Sequence, residues 1–301
     1  MLEETQTALL DRLAPNTRMR RLRWSHGQTQ ALEVGAGPPL LLLHGGLDAA
    51  VTWVPILERL GAHHRVIAVD LPGHGLADPY DFARGDLLDH AVAFVRDILD
   101  ALELRKLDLV ANSIGALYAV TFALRTPERV AKLVLLGAPA GLKRPGAPLQ
   151  LRLLALPLIG QPLGRRLMSK PTRDGNRKFW GQILVVHPER LDDGVLDADV
   201  ASQLRNTESH LSLVASVADA GGVRRNLIFG QRWMALTTPT LILWGEQDAF
   251  LAPRDGEEIA ATNPHVRVVR IPDAGHLPWH DAPERVAIEM EGFLSGSLDT
   301  S

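Results

Sequence analysis

The chain predicts an α/β protein: an eight-stranded, mostly parallel sheet with helices on both faces and a helical cap inserted late in the chain. Three observations carry this. Strand-like segments bounded by Gly, Pro and Asp alternate with helical patterns, as in a doubly wound sheet. The later strand segments are near-continuous apolar runs, the pattern of parallel strands covered on both faces. The third is Leu-Val-Ala-Asn-Ser-Ile-Gly-Ala at 109–116, where an apolar strand passes into a helix through small-x-Ser-x-Gly. A serine on such a turn projects its hydroxyl above the sheet edge, and its neighbours two before and two after must be small because strand and helix approach closely.

In chain order, 1–17 reads as a short helix with no role that the pattern assigns. Segments 19–25 and 29–35 flank Ser25-His26-Gly27-Gln28 and read as an antiparallel hairpin. Strands follow at 39–43, 65–70, 107–112, 131–137, 239–245 and 266–271, and helices at 86–102, 114–125, 253–261 and 283–294. Residues 138–237 break the alternation; the stretch is rich in Leu, Pro and Arg and holds no convincing strand. A structureless loop of that length is foreign to a folded domain, so it reads as a helical cap inserted into a core formed by 1–137 and 238–301. Nine Lys or Arg lie between Lys143 and Lys178 against a single acid, Asp174, which reads as a solvated helix face.

Composition narrows the function. With 301 residues, 46% of them hydrophobic, the chain has ample material for a core. A net charge of −3 gives no electrostatic case for nucleic acid. Cysteine is absent, which removes disulfides, thiol nucleophiles and thiolate metal sites and fits a reducing compartment. The first residues show neither the basic start nor the apolar run of a signal peptide, and no stretch has membrane-spanning length, so a cytoplasmic setting is the expectation. The partner expected is a small molecule; monomer and homodimer both stay open.

An activated serine needs a base within hydrogen-bond reach and a group that orients the base. Leu-Trp-Gly-Glu-Gln-Asp-Ala-Phe puts Asp248 in the loop after one strand, and Pro-Asp-Ala-Gly-His-Leu puts His276 in the loop after the last. Ser113, Asp248 and His276 therefore follow the order Ser…Asp…His, each at a strand's carboxyl end, where a parallel sheet builds its site. A tetrahedral intermediate also needs amide donors. The His44-Gly45-Gly46-Leu47 loop offers the N–H of Gly46 or of Leu47, and Ile114 offers the second. Asn112, Leu47 and Leu277 are candidate substrate contacts. The chemistry calls for no cofactor and no metal, and adjacent His63 and His64 make a poor ligand pair because neighbours in extended chain point to opposite faces. Trp180 and Trp233 are candidates to line an apolar acyl pocket. Asp273 reads as a loop former rather than a partner of His276, and His280 and Asp281 as the start of the final helix.

With His44-Gly45-Gly46, Asp70-Leu71-Pro72-Gly73-His74-Gly75, Asn112-Ser113-Ile114-Gly115, Gly245-Glu246-Gln247-Asp248 and Gly275-His276, the chain resembles the α/β-hydrolase fold superfamily over about residues 18–295. The resemblance implies Ser113 as nucleophile, His276 as general base and Asp248 as its orienting acid, with His74 structural. Relatives that cleave carbon–halogen bonds or epoxides carry an aspartate nucleophile, so the serine implies acyl chemistry: hydrolysis of carboxylic esters of small to medium apolar substrates. Asn112-Ser113-Ile114-Gly115 and the His-Gly-Gly loop are also similar to carbon–carbon bond hydrolases of aromatic ring cleavage. Those carry a Trp directly after the histidine and a substrate-binding Arg on a cap helix. Here Leu277 follows His276, and Leu191–Val200 holds no Arg, Arg205 lying beyond. A third class is a non-catalytic relative that uses the capped cavity to bind a ligand.

Overall fold

The computed structural model describes residues 1–144, 147–156 and 158–296. It opens with α1 (Leu2–Leu13), then the hairpin β1 (Arg18–Trp24) and β2 (Gly27–Val34), closed by Trp24 opposite Gly27. Next come β3 (Pro39–Leu43), α2 (Val54–Gly61), β4 (Arg65–Val69), α3 (Leu87–Ala101), β5 (Leu107–Asn112), α4 (Ser113–Arg125) and β6 (Val130–Leu136). After α5 (Leu149–Leu154), α6 (Gly160–Met168), α7 (Arg173–Ile183), α8 (Asp193–Val217) and the short strands β7 (Ala218–Asp219) and β8 (Gly222–Val223), the chain returns with β9 (Thr240–Gly245), α9 (Pro253–Ala260), β10 (Val266–Ile271), α10 (Pro278–Asp281) and α11 (Pro283–Leu294).

Eight strands form one sheet in the order β1-β2-β4-β3-β5-β6-β9-β10. β1 and β2 pair antiparallel, β2 pairs antiparallel with β4, and every later pairing is parallel. The apolar runs supply both faces. In β3, Leu41 and Leu43 point into the core packed by α3 and α4, while Leu40 and Leu42 join α1, α2 and α11 on the other side. Asp86 caps α3 by accepting from the amides of Leu88 and Asp89. The register sets Asn112 beside Leu136, Leu136 beside Leu243, and Gly245 beside Ile271, so the carboxyl ends of β5, β6, β9 and β10 finish level with one another.

Between β6 and β9 the chain forms α5 (Leu149–Leu154), α6 (Gly160–Met168), α7 (Arg173–Ile183) and α8 (Asp193–Val217). One expectation needs correction there: Ala218–Asp219 (β7) and Gly222–Val223 (β8) pair as an antiparallel hairpin. Two-residue strands are too short to leave an alternating signature in sequence. The basic run is mostly ion-paired: Lys143 to Asp255 and Glu258, Arg144 to Asp219, Arg165 to Glu208, Arg173 and Arg177 to Asp193. The opening helix α1 lies against α8; Gln6 Oε1 accepts from Gln30 of β2, and Arg12 grips Asp192, the N-cap of α8. Among the described residues, no helix is long and apolar enough to cross a membrane.

Candidate active site

The turn from β5 into α4 holds Ser113 at φ +50°, a left-handed conformation that a side chain with a Cβ rarely adopts. Nothing but glycine fits at 115, because a Cβ there would sit 2.3 Å from the carbonyl oxygen of Leu43 and 2.5 Å from that of His44. The adjoining Ala111 is fully buried. Asn112 Nδ2 donates to the carbonyls of Leu136 (2.6 Å) and His276 (3.2 Å), tying the elbow to the histidine loop. Its amide nitrogen is thus committed to the scaffold, and Oδ1 is the atom left for another partner. No side chain caps α4, so its first-turn amides, Ile114 included, carry the positive end of the helix dipole.

Beside the elbow runs the Gly45-Gly46-Leu47 loop, with Leu47 at φ +66°. A Cβ on Gly46 would lie 3.0 Å from Ile114 Cγ1, so the two loops touch. His44 fixes this loop: its Nε2 accepts from the Leu71 amide (2.9 Å), which leaves Nδ1–H to donate to Gly45 O (2.7 Å). Asp70 adds a second tether, accepting from Ala50 N (2.7 Å) and Leu76 N (2.8 Å). Burial pushes that carboxyl up to about 6, against the lowering by its two amide donors. His74 is buried and donates to Pro72 O, away from the cavity, in a scaffold role.

Asp248 and His276 meet. The ring's Nδ1 donates to Asp248 Oδ2 at 2.9 Å, and both side chains are at most 2% exposed. The other partners of Asp248 are the amides of Ala138 (2.8 Å) and Phe250 (2.9 Å). The Phe250 ring stacks on the imidazole, 3.9 Å between centroids. With Nδ1–H engaged, Nε2 is the basic nitrogen, enclosed and without a protein partner. Ser113 and His276 line the same cavity, but among the described residues the Ser113 hydroxyl makes no hydrogen bond to the ring.

That cavity has a volume of about 530 Å³, within the range of small-molecule sites. Gly46, Leu47, Asn112, Ser113, Ile114 and Leu277 all reach it. Trp180 lines it, whereas Trp233 packs on Phe229 in the core, which corrects the expectation for that tryptophan. No arginine is among the described residues lining it; Arg205 donates instead to Ala77 O (3.0 Å). His63 is exposed and His64 buried, and no cluster of three metal-ligating side chains occurs among the described residues. Asp273 pairs with His187 (2.7 Å), not with His276.

A family model for the alpha/beta hydrolase fold matches residues 38–283. The chain belongs to the α/β-hydrolase fold family. Over 268 residues this hydrolase is 29% identical to a 2-hydroxy-6-oxononadienedioate/2-hydroxy-6-oxononatrienedioate hydrolase of Cupriavidus pinatubonensis, a match covering 86% of this chain and 89% of that one. It is 30% identical over 248 residues to a similarly named hydrolase of Pseudomonas putida, covering 81% and 83%. In fold it is similar to a carboxylesterase of Bacillus subtilis, with a TM-score of 0.80 at 21% identity over 98% of this chain and 97% of that one.

Sequence reasoning missed three parts of the hydrolase site. Asp281 accepts from the amides of Gly275 (2.8 Å), Val186 (3.0 Å) and His187 (3.0 Å), bracing the histidine loop against the segment after α7. Phe250 gives the imidazole its stacking surface. Asp48 and Asp199, far apart in sequence, both line the cavity. Only for Phe250 was there a signal, its place two residues after Asp248.

Proposed function

We propose that this α/β hydrolase is a serine esterase that cleaves carboxylic esters of small to medium, largely apolar substrates through an acyl-enzyme. The observation that carries the reading is Ser113, held at φ +50° on the elbow, opening into one cavity with a histidine whose far nitrogen is bound by a buried carboxylate. In this scheme Nε2 of His276 takes the serine proton as Oγ attacks the ester carbonyl. Asp248 orients the ring and stabilises the imidazolium. The amides of Gly46 and Ile114 receive the oxyanion, each such donor contributing about 2.7–4 kcal/mol. Collapse expels the alcohol, protonated by His276; water then repeats the sequence on the acyl-enzyme. Residues 138–237 act as a cap that closes the cavity over the 1–137 and 238–301 core, and α5 to α8 supply much of the apolar lining, including Leu151, Leu154, Ile183 and Val214.

The names of the sequence relatives favour a second reading, carbon–carbon bond hydrolysis of a vinylogous diketo acid. Charge weighs against it. The described lining carries Asp48 and Asp199 and no arginine; of its two lysines, Lys143 is already paired with Asp255 and Glu258 and Lys170 is exposed to solvent, so a substrate carboxylate reaching the inner end would be desolvated beside carboxylates. A p-nitrophenyl ester chain-length series tests the reading, with Ser113→Ala as control. Turnover peaking at short to medium chains and a loss of at least about 10³-fold in kcat are expected for the variant. Fluorophosphonate labelling that survives Ser113→Ala would overturn the assignment, and bleaching of a ring-fission product without ester turnover would select the second reading.

A further inference from the structure

The cavity beside Ser113 is unevenly lined. Most of it is aliphatic, but Asp48, Asn176, Asp199 and Gln203 make one polar patch that joins the loop after Gly46 to α7 and α8. Asp199 is 7% exposed; its Oδ2 accepts from Asn176 Nδ2 (2.7 Å) and Trp180 Nε1 (3.0 Å), and Gln203 Nε2 approaches at 3.3 Å. Asp48 Oδ1 accepts from the Ala49 amide (2.8 Å) and the Thr52 hydroxyl lies close to the carboxyl, while the enclosed Oδ2 has no well-formed hydrogen bond among the described residues. A small void is bounded by both residues together with Thr52, Trp180 and Ser202. Neutral donors satisfy Asp199, yet among the described residues no cation is bonded to either group. A buried carboxylate beside a half-buried one, with no counter-cation, is costly to maintain, and an acceptor oxygen left without a donor at the wall of a substrate cavity calls for a ligand that donates to it.

We propose that Asp48 and Asp199 form a subsite for a primary ammonium group of the substrate, so that the favoured esters carry an aliphatic limb and a second limb ending in a protonated amine. The reaction in this statement rests on the esterase reading; the binding does not. An ammonium brings three donors and one positive charge, enough to occupy Asp48 Oδ2, reach Asp199 and neutralise the pair. The protonation pattern agrees in sign. Burial and the neighbouring Asp199 push Asp48 up to about 8, and burial pushes Asp199 up to about 6, so near neutral pH the pair carries close to one negative charge.

Calorimetry on the full chain with n-hexylammonium, n-hexanol and n-hexanoate tests the subsite without requiring turnover. Hexylammonium is expected to bind at least about tenfold more tightly than hexanol, with hexanoate weakest, and to slow fluorophosphonate labelling of Ser113. In Asp48→Asn and in Asp199→Asn the ammonium-to-hexanol ratio is expected to fall toward one, hexanol binding within each variant serving as the internal reference. Should the variants fail to fold, the wild-type ratio still decides. Equal binding of ammonium and alcohol, tightest binding of hexanoate, or ammonium binding that leaves labelling unchanged would overturn the proposal. Failure of the esterase reading looks different: no ester is turned over while hexylammonium still binds.

Discussion

At the scale of single residues, the elbow is controlled by a contact between backbones. At Gly115 a methyl group would meet the carbonyls of Leu43 and His44 at 2.3 and 2.5 Å, and backbone has no rotamer by which to yield. Gly115→Ala is therefore expected to cost about 1–3 kcal/mol or more in urea unfolding and to lower kcat by at least about 100-fold, because the serine moves with the helix. Asp281 is a second sensitive point. Asp281→Asn keeps the shape but loses charge-assisted acceptance from three amides, and should lower kcat more than it raises KM, since it acts by positioning His276. Ser113, Asp248 and His276, the proposed triad, could be singled out in the sequence because each stands at a strand's carboxyl end with small residues around it. Asp48 and Asp281 were not: an aspartate at a turn or a helix end is ordinarily local in its effect, and what distinguishes these two lies far away in the chain, Asp199 on the same cavity wall for Asp48 and the Val186 and His187 amides for Asp281.

Among the elements, α1 had a readable helical pattern and no readable task. Its apolar face acquires meaning only against α8, which lies in the stretch between β6 and β9, while Gln6 reaches back to β2. One short helix thus grips both the sheet and the helical stretch between β6 and β9. Leu9, 2% exposed, anchors it. Leu9→Ala is expected to cost about 2–5 kcal/mol and to raise amide exchange at the start of α8 well before the central strands respond, which hydrogen-exchange mass spectrometry would detect. The strands were legible for the opposite reason. Alternate leucines of β3 face two cores, so a run apolar at every position has few other readings, whereas the β7–β8 hairpin is stabilised by its surroundings and left no pattern.

For the whole molecule, buried histidines set the response to acid. Burial depresses His74, His90 and His280 to about 4 and takes His44 and His210 well below their ordinary value. A neutral histidine buried in the native state protonates on unfolding, so its contribution is complete above about pH 6.5 and is lost as the pH falls toward 4. Asp48, Asp70 and Asp199 act in the other direction: raised to about 8, 6 and 6, they favour the native state at low pH and lose that contribution as the pH climbs through those values. Five histidines outweigh three carboxyls on the acid side. Stability should peak at about pH 7 and fall by roughly 1–3 kcal/mol per unit between about pH 6.5 and 5, as urea titrations would measure. His210→Leu should flatten that limb, since both ring nitrogens of His210 lack partners in the native fold. The sheet order carries a last consequence, one of timing. β5 delivers the elbow serine, but the residues proposed as its base and its acid follow β10 and β9, beyond the whole of α5 to α8. A ribosome that has finished the first three-quarters of this chain has made a serine with nothing to activate it. In the proposed scheme the elbow stays chemically silent through most of synthesis, and reactivity arrives with the closing strands, after α5 to α8 have been made.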